Sequence, residues 1–225
     1  MLYKKVILCL LLCLPSLLWG QRSERTPTLT HPTLYVGASA GASASQLLFM
    51  PSVSQTLLQG IRVGFMATLA NSEYTDFTFE VAYNQRGWQE SRAQGTDKER
   101  FYLRKMNFID FPILCHLYYP IRRAKVGIKM GPQIGLFLGE TITSKGTSFT
   151  PQERVRQSLK VVNTFAWGLM GGPSISYSWG RHRIEMDILV YYGFNDIFST
   201  TVRDPYSKSS ELFGMLKLNY LFRLL

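Results

Sequence analysis

From Val126 to Leu138 the chain alternates strictly in character. Val126, Ile128, Met130, Pro132, Ile134, Leu136 and Leu138 fall at one parity, and Gly127, Lys129, Gly131, Gln133, Gly135 and Phe137 at the other. Successive side chains of a β-strand point to opposite faces, so this period predicts a strand with one apolar face and one small or polar face. A helix cannot use it, because its apolar residues must recur every three to four positions.

The pattern recurs along the chain. Ile61 to Leu69, Phe77 to Asn84, Ile109 to Tyr118, Arg183 to Tyr192 and Met215 to Phe222 alternate in the same way. Weaker versions rich in Gly and Ala lie at Leu34 to Ser43 and Asn163 to Tyr177. These segments predict eight strands, many long enough to cross a bilayer at a tilt, for which about 9–11 residues are needed. The connections are expected to alternate. Asn71–Tyr74, Pro120–Ala124 and Trp179–His182 read as short turns, whereas Ala44–Leu58, Glu90–Arg100, Glu140–Lys160 and Asn195–Lys208 read as long loops. Short turns at one end and long loops at the other are the pattern of an outer-membrane barrel.

The amino terminus reads as a secretory signal over residues 1–20. Lys4 and Lys5 precede an apolar run from Val6 to Leu18, too short for a membrane-spanning helix, and Gly20 offers a small residue for cleavage. A short lead (21–32) and a barrel domain (33–225) would follow. Removing the signal takes two lysines from a net charge of +10 and leaves +8. It also removes Cys9 and Cys13, so Cys115 remains alone and no internal disulfide can form. Leu12 ahead of Cys13 is too large for a lipoprotein signal. No later apolar run is long enough for a transmembrane helix.

Composition of the polar face decides which side faces out. A soluble barrel would carry many charges on its outer surface, but this face is Gly, Ser, Ala and Thr with sparse charges. Small residues suit the crowded lumen of a narrow barrel. Lys129 turned to lipid near mid-bilayer would cost about 2–4 kcal/mol, whereas turned inward it can meet a carboxylate. The expected fold is therefore all-β, an eight-stranded antiparallel up-and-down transmembrane β-barrel. Arg62, Glu80, Arg86, Asp110, Lys129, Arg183, Glu185, Asp187 and Lys217, with His116, fall on the inward face. Their mixed signs suggest a lumenal charge network. A structural plug is favoured over an ion path, because eight strands enclose room only for their own side chains. Tyr118, Tyr119, Tyr177, Trp179, Tyr220 and Phe222 at one end, and Trp88, Phe101, Tyr102, Phe194 and Phe198 at the other, are expected to form two interfacial girdles.

Several motifs resemble the PorT-like outer-membrane barrels of Bacteroidetes-type bacteria. They are Phe79-Glu80-Val81-Ala82-Tyr83-Asn84-Gln85-Arg86-Gly87-Trp88, Phe108-Ile109-Asp110-Phe111-Pro112-Ile113-Leu114, Gly131-Pro132-Gln133-Ile134-Gly135, Tyr192-Gly193-Phe194-Asn195-Asp196-Ile197 and Leu218-Asn219-Tyr220-Leu221-Phe222. The resemblance covers nearly the whole mature chain in order. It implies an eight-stranded barrel in the outer membrane of a Gram-negative bacterium. The family takes its name from a component needed for type IX protein secretion. The chain departs from the usual aromatic ending by continuing as Arg223-Leu224-Leu225.

No catalytic set stands out. His31, His116 and His182 are scattered with no zinc-ligand spacing, Gly37–Gly41 precedes no helix that could hold a phosphate, and Gly171-Gly172-Pro173-Ser174 lacks the spacing of a nucleophile elbow. No metal or other cofactor is expected. The sequence points to a non-enzymatic barrel that meets outer-membrane lipid and acts on envelope proteins, secretion machinery among them, through its loops or turns. The alternatives are a small-solute channel or an outer-membrane enzyme using Glu80, Asp110 and Asp187. Arg122-Arg123 and Arg181-His182-Arg183 at the short turns are expected to be solvated, with anionic head groups or a periplasmic protein as the alternative contacts; nucleic acid is not an expected partner.

Overall fold

The computed structural model describes residues 28–94, 97–145, 154–155, 157–198 and 206–224, with side chains additionally undescribed at 28–31, 71, 91–94 and 97–100. The expected signal (1–20) and most of the expected lead lie outside them.

Eight strands form one closed ring in sequence order: β1 (Thr28–Met50), β2 (Leu58–Ser72), β3 (Thr75–Gln94), β4 (Asp97–Ile121), β5 (Ala124–Lys145), β6 (Phe165–Trp179), β7 (His182–Asp196) and β8 (Lys208–Arg223). Every neighbouring pair is antiparallel, and β1 closes against β8 from Tyr35↔Arg223 to Met50↔Lys208. Closure leaves no lateral edge inside the ring, so the backbone groups of each strand are met by its neighbours. No helix among the described residues is long and apolar enough to cross a membrane.

At one end the strands are joined by two-residue turns, Glu73-Tyr74, Arg122-Arg123 and Gly180-Arg181. Two of these turns use a left-handed residue, Gly180 at φ 57° and Arg122 at φ 55°. The other end carries the longer connections. These are the turn end and the loop end.

The strands are longer at the loop end than alternation predicts. Glu90–Arg100, expected to be a loop, is mostly a hairpin in which Gln89 pairs with Leu103 and Arg92 with Arg100. β1 runs seven residues into the expected loop at Ala44–Leu58, and β5 continues to Lys145. Side chains beyond the bilayer need not alternate, so the pattern that marks a strand fades while the backbone ladder continues. At the turn end β1 begins at Thr28, inside the expected lead.

Burial follows the predicted register. Along β7, Arg183, Glu185, Asp187, Leu189 and Tyr191 are buried, whereas Ile184, Met186, Ile188 and Val190 are exposed. The outside is a belt of exposed Ile, Val, Leu and Phe, including Phe65, Ile113, Ile128 and Leu218. This inversion of the usual soluble pattern suits a chain whose solvent is hydrocarbon.

Candidate functional site

Two layers dominate the lumen, with a smaller buried apolar cluster of Leu114, Met170, Leu189, Tyr191, Phe213 and Met215 beside them. The first runs through its middle and towards the turn end, and is ionic. Its side chains form one alternating series. Glu211 accepts from Arg86 Nε at 2.7 Å, Arg86 donates to Asp110 at 2.8 Å, and Asp110 accepts from Arg62 at 2.9 Å. Arg62 lies 3.4 Å from Glu80, which accepts from Lys217 at 2.7 Å. Lys217 stands 3.6 Å from Asp187, which accepts from Lys129 at 3.0 Å, and Lys129 also meets Glu185. Each of these groups is almost wholly buried.

Neutral side chains add further hydrogen bonds to these acids. Asn84 donates to Asp110 at 2.9 Å, Ser39 to Glu80 at 2.7 Å, Ser174 to Asp187 at 2.6 Å and Asn219 to Asp187 at 2.7 Å. A buried carboxylate is tolerated only when paired and hydrogen-bonded, and each acid of the central series has at least one cation at its side. Arg183 is set apart towards the turn end, where it donates to Asp76 at 2.8 Å; Lys125 approaches the same carboxylate at 3.3 Å. His116 is buried there too, its ring 4.9 Å from that of Tyr118.

All nine residues predicted for the lumen are inside it, eight of them joined in the central series. The sequence reading missed Asp76, Lys125 and Glu211, and also the Arg104–Glu140 pair, whose contacts are 2.6 and 2.8 Å. Asp76 and Glu211 sit just outside the segments where alternation was clear. Arg104 lies next to an expected loop, and Glu140 is the first residue of one. Parity alone places Asp76 with Glu80, and Arg104 with Asp110.

The glycines of the inward face give these pairs room. A Cβ on Gly135 would stand 2.7 Å from Asp110 Oδ1 and 2.8 Å from Arg86 Nη2. The absent side chain is the space the ion pair occupies.

The second layer closes the loop end and is aromatic. Phe49, Trp88, Tyr102, Phe108, Phe198 and Tyr206 are buried with Leu47, Met106 and Ile197. Phe49 stacks on Tyr206 at 4.3 Å and meets Trp88 edge-on at 5.3 Å. Arg104 lies 4.9 Å from the ring of Phe198 and 5.4 Å from that of Trp88, and Arg86 lies 3.7 Å from that of Phe108. The layers are thus joined by guanidinium groups, which pair with carboxylate at their edges and with aromatic rings at their faces.

This layer corrects part of the girdle reading. Trp88, Tyr102 and Phe198 point inward, as does Tyr118 at the turn end, whose hydroxyl donates to Asp76 at 2.9 Å. Their nearness to strand ends suggested an interface, but parity with Arg86 puts Trp88 inside, and parity with Asp110 does the same for Tyr102 and Tyr118. Tyr119, Tyr177, Trp179 and Tyr220 at the turn end and Phe194 at the loop end are exposed.

Among the described residues, no group of His, Cys, Asp and Glu is placed to hold a metal ion. Each lumenal acid of the central series is paired with at least one cation.

The family model described as outer membrane protein beta-barrel domain matches residues 19–199. The chain belongs to this family. An outer membrane beta-barrel sits in the outer membrane of a Gram-negative bacterium, with short turns in the periplasm and longer loops outside, so the turn end is periplasmic and the loop end extracellular. Solved structures similar to it include the outer membrane protein OprG of Pseudomonas aeruginosa, at 14% identity and a TM-score of 0.46, covering 85% of this chain and 95% of OprG. Neisserial surface protein A is 12% identical with a TM-score of 0.41, covering 84% of this chain and 97% of that one. Ail, the attachment invasion locus protein of Yersinia pestis, is 10% identical with a TM-score of 0.37, covering 84% of this chain and 98% of Ail. No curated protein matches the outer membrane beta-barrel in sequence.

Proposed function

We propose that this outer membrane beta-barrel is a non-enzymatic, plugged member of the PorT-like group that works by presenting its extracellular end and periplasmic turns to other envelope proteins. The observation that carries the reading is the filling of the lumen. An alternating ion-pair series occupies its middle and an aromatic layer closes its outer end, so among the described residues the central carboxylates are committed to cations and rings stand across the way out. The surface is what remains to act. Its most developed part is the extension of β3, β4 and β5, strands of 20, 25 and 22 residues against 15 in β2, β6 and β7. Type IX secretion machinery is the partner class to test first, on the strength of the motif resemblance. Export by a cleaved signal, residues 1–20, belongs to the same proposal and makes Gln21 the first residue of the mature chain.

Crosslinking in the native envelope, followed by identification of the attached proteins, tests the partner claim. Specific capture of secretion components supports it. A barrel that crosslinks only to itself or to nothing overturns it. The plug is tested separately in planar bilayers, where the folded protein should be silent; steady single-channel steps would replace this reading with that of a small-solute channel.

A further inference from the structure

The lipid-facing wall is bulky except along β1. There Ala38, Ala40 and Ala42 are exposed, and Ala38 lies across the sheet from Phe65 on one side and Tyr220 on the other. This leaves a groove of about 610 Å³ lined by Val36, Ala38, Phe65, Phe79, Val81 and Tyr220. A second furrow of about 210 Å³, lined by Leu34, Leu69, Phe77 and Ile113, meets the first at Ala67 and Phe79.

The periplasmic end of this surface is basic. Tyr220, a groove residue, places its hydroxyl 2.7 Å from Nδ1 of His182, whose ring stacks on Trp179 at 5.7 Å. The amide of Leu224 donates to the carbonyl of Leu34, another groove residue, at 2.8 Å, and Arg223, which pairs with Tyr35 on the inward parity, stands exposed at the periplasmic rim beside the groove's end. The amide of Arg223 donates to the carbonyl of Arg181 at 2.8 Å, so two exposed arginines stand side by side. Among the described residues, the exposed charges of the three short turns are Arg122, Arg123 and Arg181 against Glu73.

We propose that this surface binds one anionic diacyl phospholipid of the periplasmic leaflet. Its two chains lie in the two furrows, and its phosphate is held by Arg181, Arg223 and His182. The surface faces the bilayer, so its occupant is either a lipid or another membrane protein. Charge decides between them. Two copies joined along β1 would have the same orientation in the membrane and would bring their arginine pairs together, which is repulsive. A lipid phosphate neutralises the same pair. The proposal rests on the membrane placement of the barrel and is independent of its protein partners.

Native mass spectrometry of the full mature barrel in mild detergent tests this. The probes are phosphatidylglycerol and phosphatidylethanolamine with identical acyl chains. Phosphatidylglycerol should remain bound when phosphatidylethanolamine is lost, by about fivefold for each arginine. Arg181→Ser with Arg223→Ser should abolish that preference. Ala38→Trp, which fills the groove from the outer face, should lower retention of both lipids; Ile188→Trp on the lipid face of β7 should change nothing. Heat-dependent gel migration checks folding, and if Ala38→Trp does not fold, the arginine variant on the periplasmic rim still decides. Equal retention of the two lipids, unchanged retention in a folded Ala38→Trp, or dimers in place of lipid-bound monomers overturns the proposal.

Discussion

The middle of the lumen and its extracellular mouth are enclosed by the same strands, yet they are filled by opposite means. The middle holds charges, each acid set against cations contributed by other strands. The mouth holds rings, with Phe49 from β1, Trp88 from β3 and Tyr102 from β4 packed against Phe198 and Tyr206 from the connection between β7 and β8. The two fillings should respond differently to damage. An ion pair that loses one partner leaves a charge stranded away from water. An aromatic layer that loses part of one ring leaves a gap that neighbours can partly close.

The largest effect is expected at Asp110, which accepts from Arg62, Arg86 and Asn84. Asp110→Ala should cost about 3–5 kcal/mol in reversible unfolding from lipid vesicles, the range for breaking a buried pair. A loss no larger than that of a substitution at the mouth would erase the contrast. Gly135→Ala sharpens it without removing a charge. The added methyl pushes on both Asp110 and Arg86, and over-packing of this kind should cost about 1–3 kcal/mol by the same measurement.

The Arg104–Glu140 pair is the informative exception, an ion pair at the aromatic end. Replacing both partners, Arg104→Met with Glu140→Leu, should leave stability within about 1 kcal/mol of the parent, because apolar side chains can replace a buried pair and the surroundings are already apolar. Glu140→Leu alone should be worse than the double variant, since it strips the buried Arg104 of the Glu140 carboxylate. A double variant worse than the single one would show that the mouth needs charge as much as the middle does. A more local effect is expected for Phe49→Leu. It removes the stack on Tyr206 and the edge contact with Trp88, worth about 0.5–1.5 kcal/mol beyond lost area. Hydrogen exchange should quicken around 197–198 and 206–210 while the middle strands stay protected.

The same division explains how much could be read from the sequence. Within the bilayer, lipid on one side and a crowded lumen on the other force alternation. Ile184, Met186 and Ile188 against Arg183, Glu185 and Asp187 therefore revealed strand, register and lumenal charge together. Outside it, that constraint ends. The β3–β4 hairpin beyond Trp88 pairs through its backbone, which leaves no mark in the side chains. Trp88 and Tyr102 were misread because being aromatic at a strand end suits both an interface and a plug; their parity with Arg86 and Asp110 was the deciding signal. Asp76 and Glu211 escaped for a similar reason, lying one residue and four residues before the alternating segments that began at Phe77 and Met215. Phe198 and Tyr206 belong to a connection, where no period tells which way a ring will turn.

The span of two ion pairs has a consequence for assembly. Lys217 reaches Glu80 across 137 residues of sequence, and Glu211 reaches Arg86 across 125. Both long-range partners are on β8, whose pairing with β1 closes the ring. Until β8 joins, Glu80 lacks Lys217 and Arg86 has only Asp110. The unfinished lumen must stay hydrated until β8 arrives. Closing the ring and drying the interior are then a single event, so a stalled barrel would remain open and wet rather than settle into a compact wrong form.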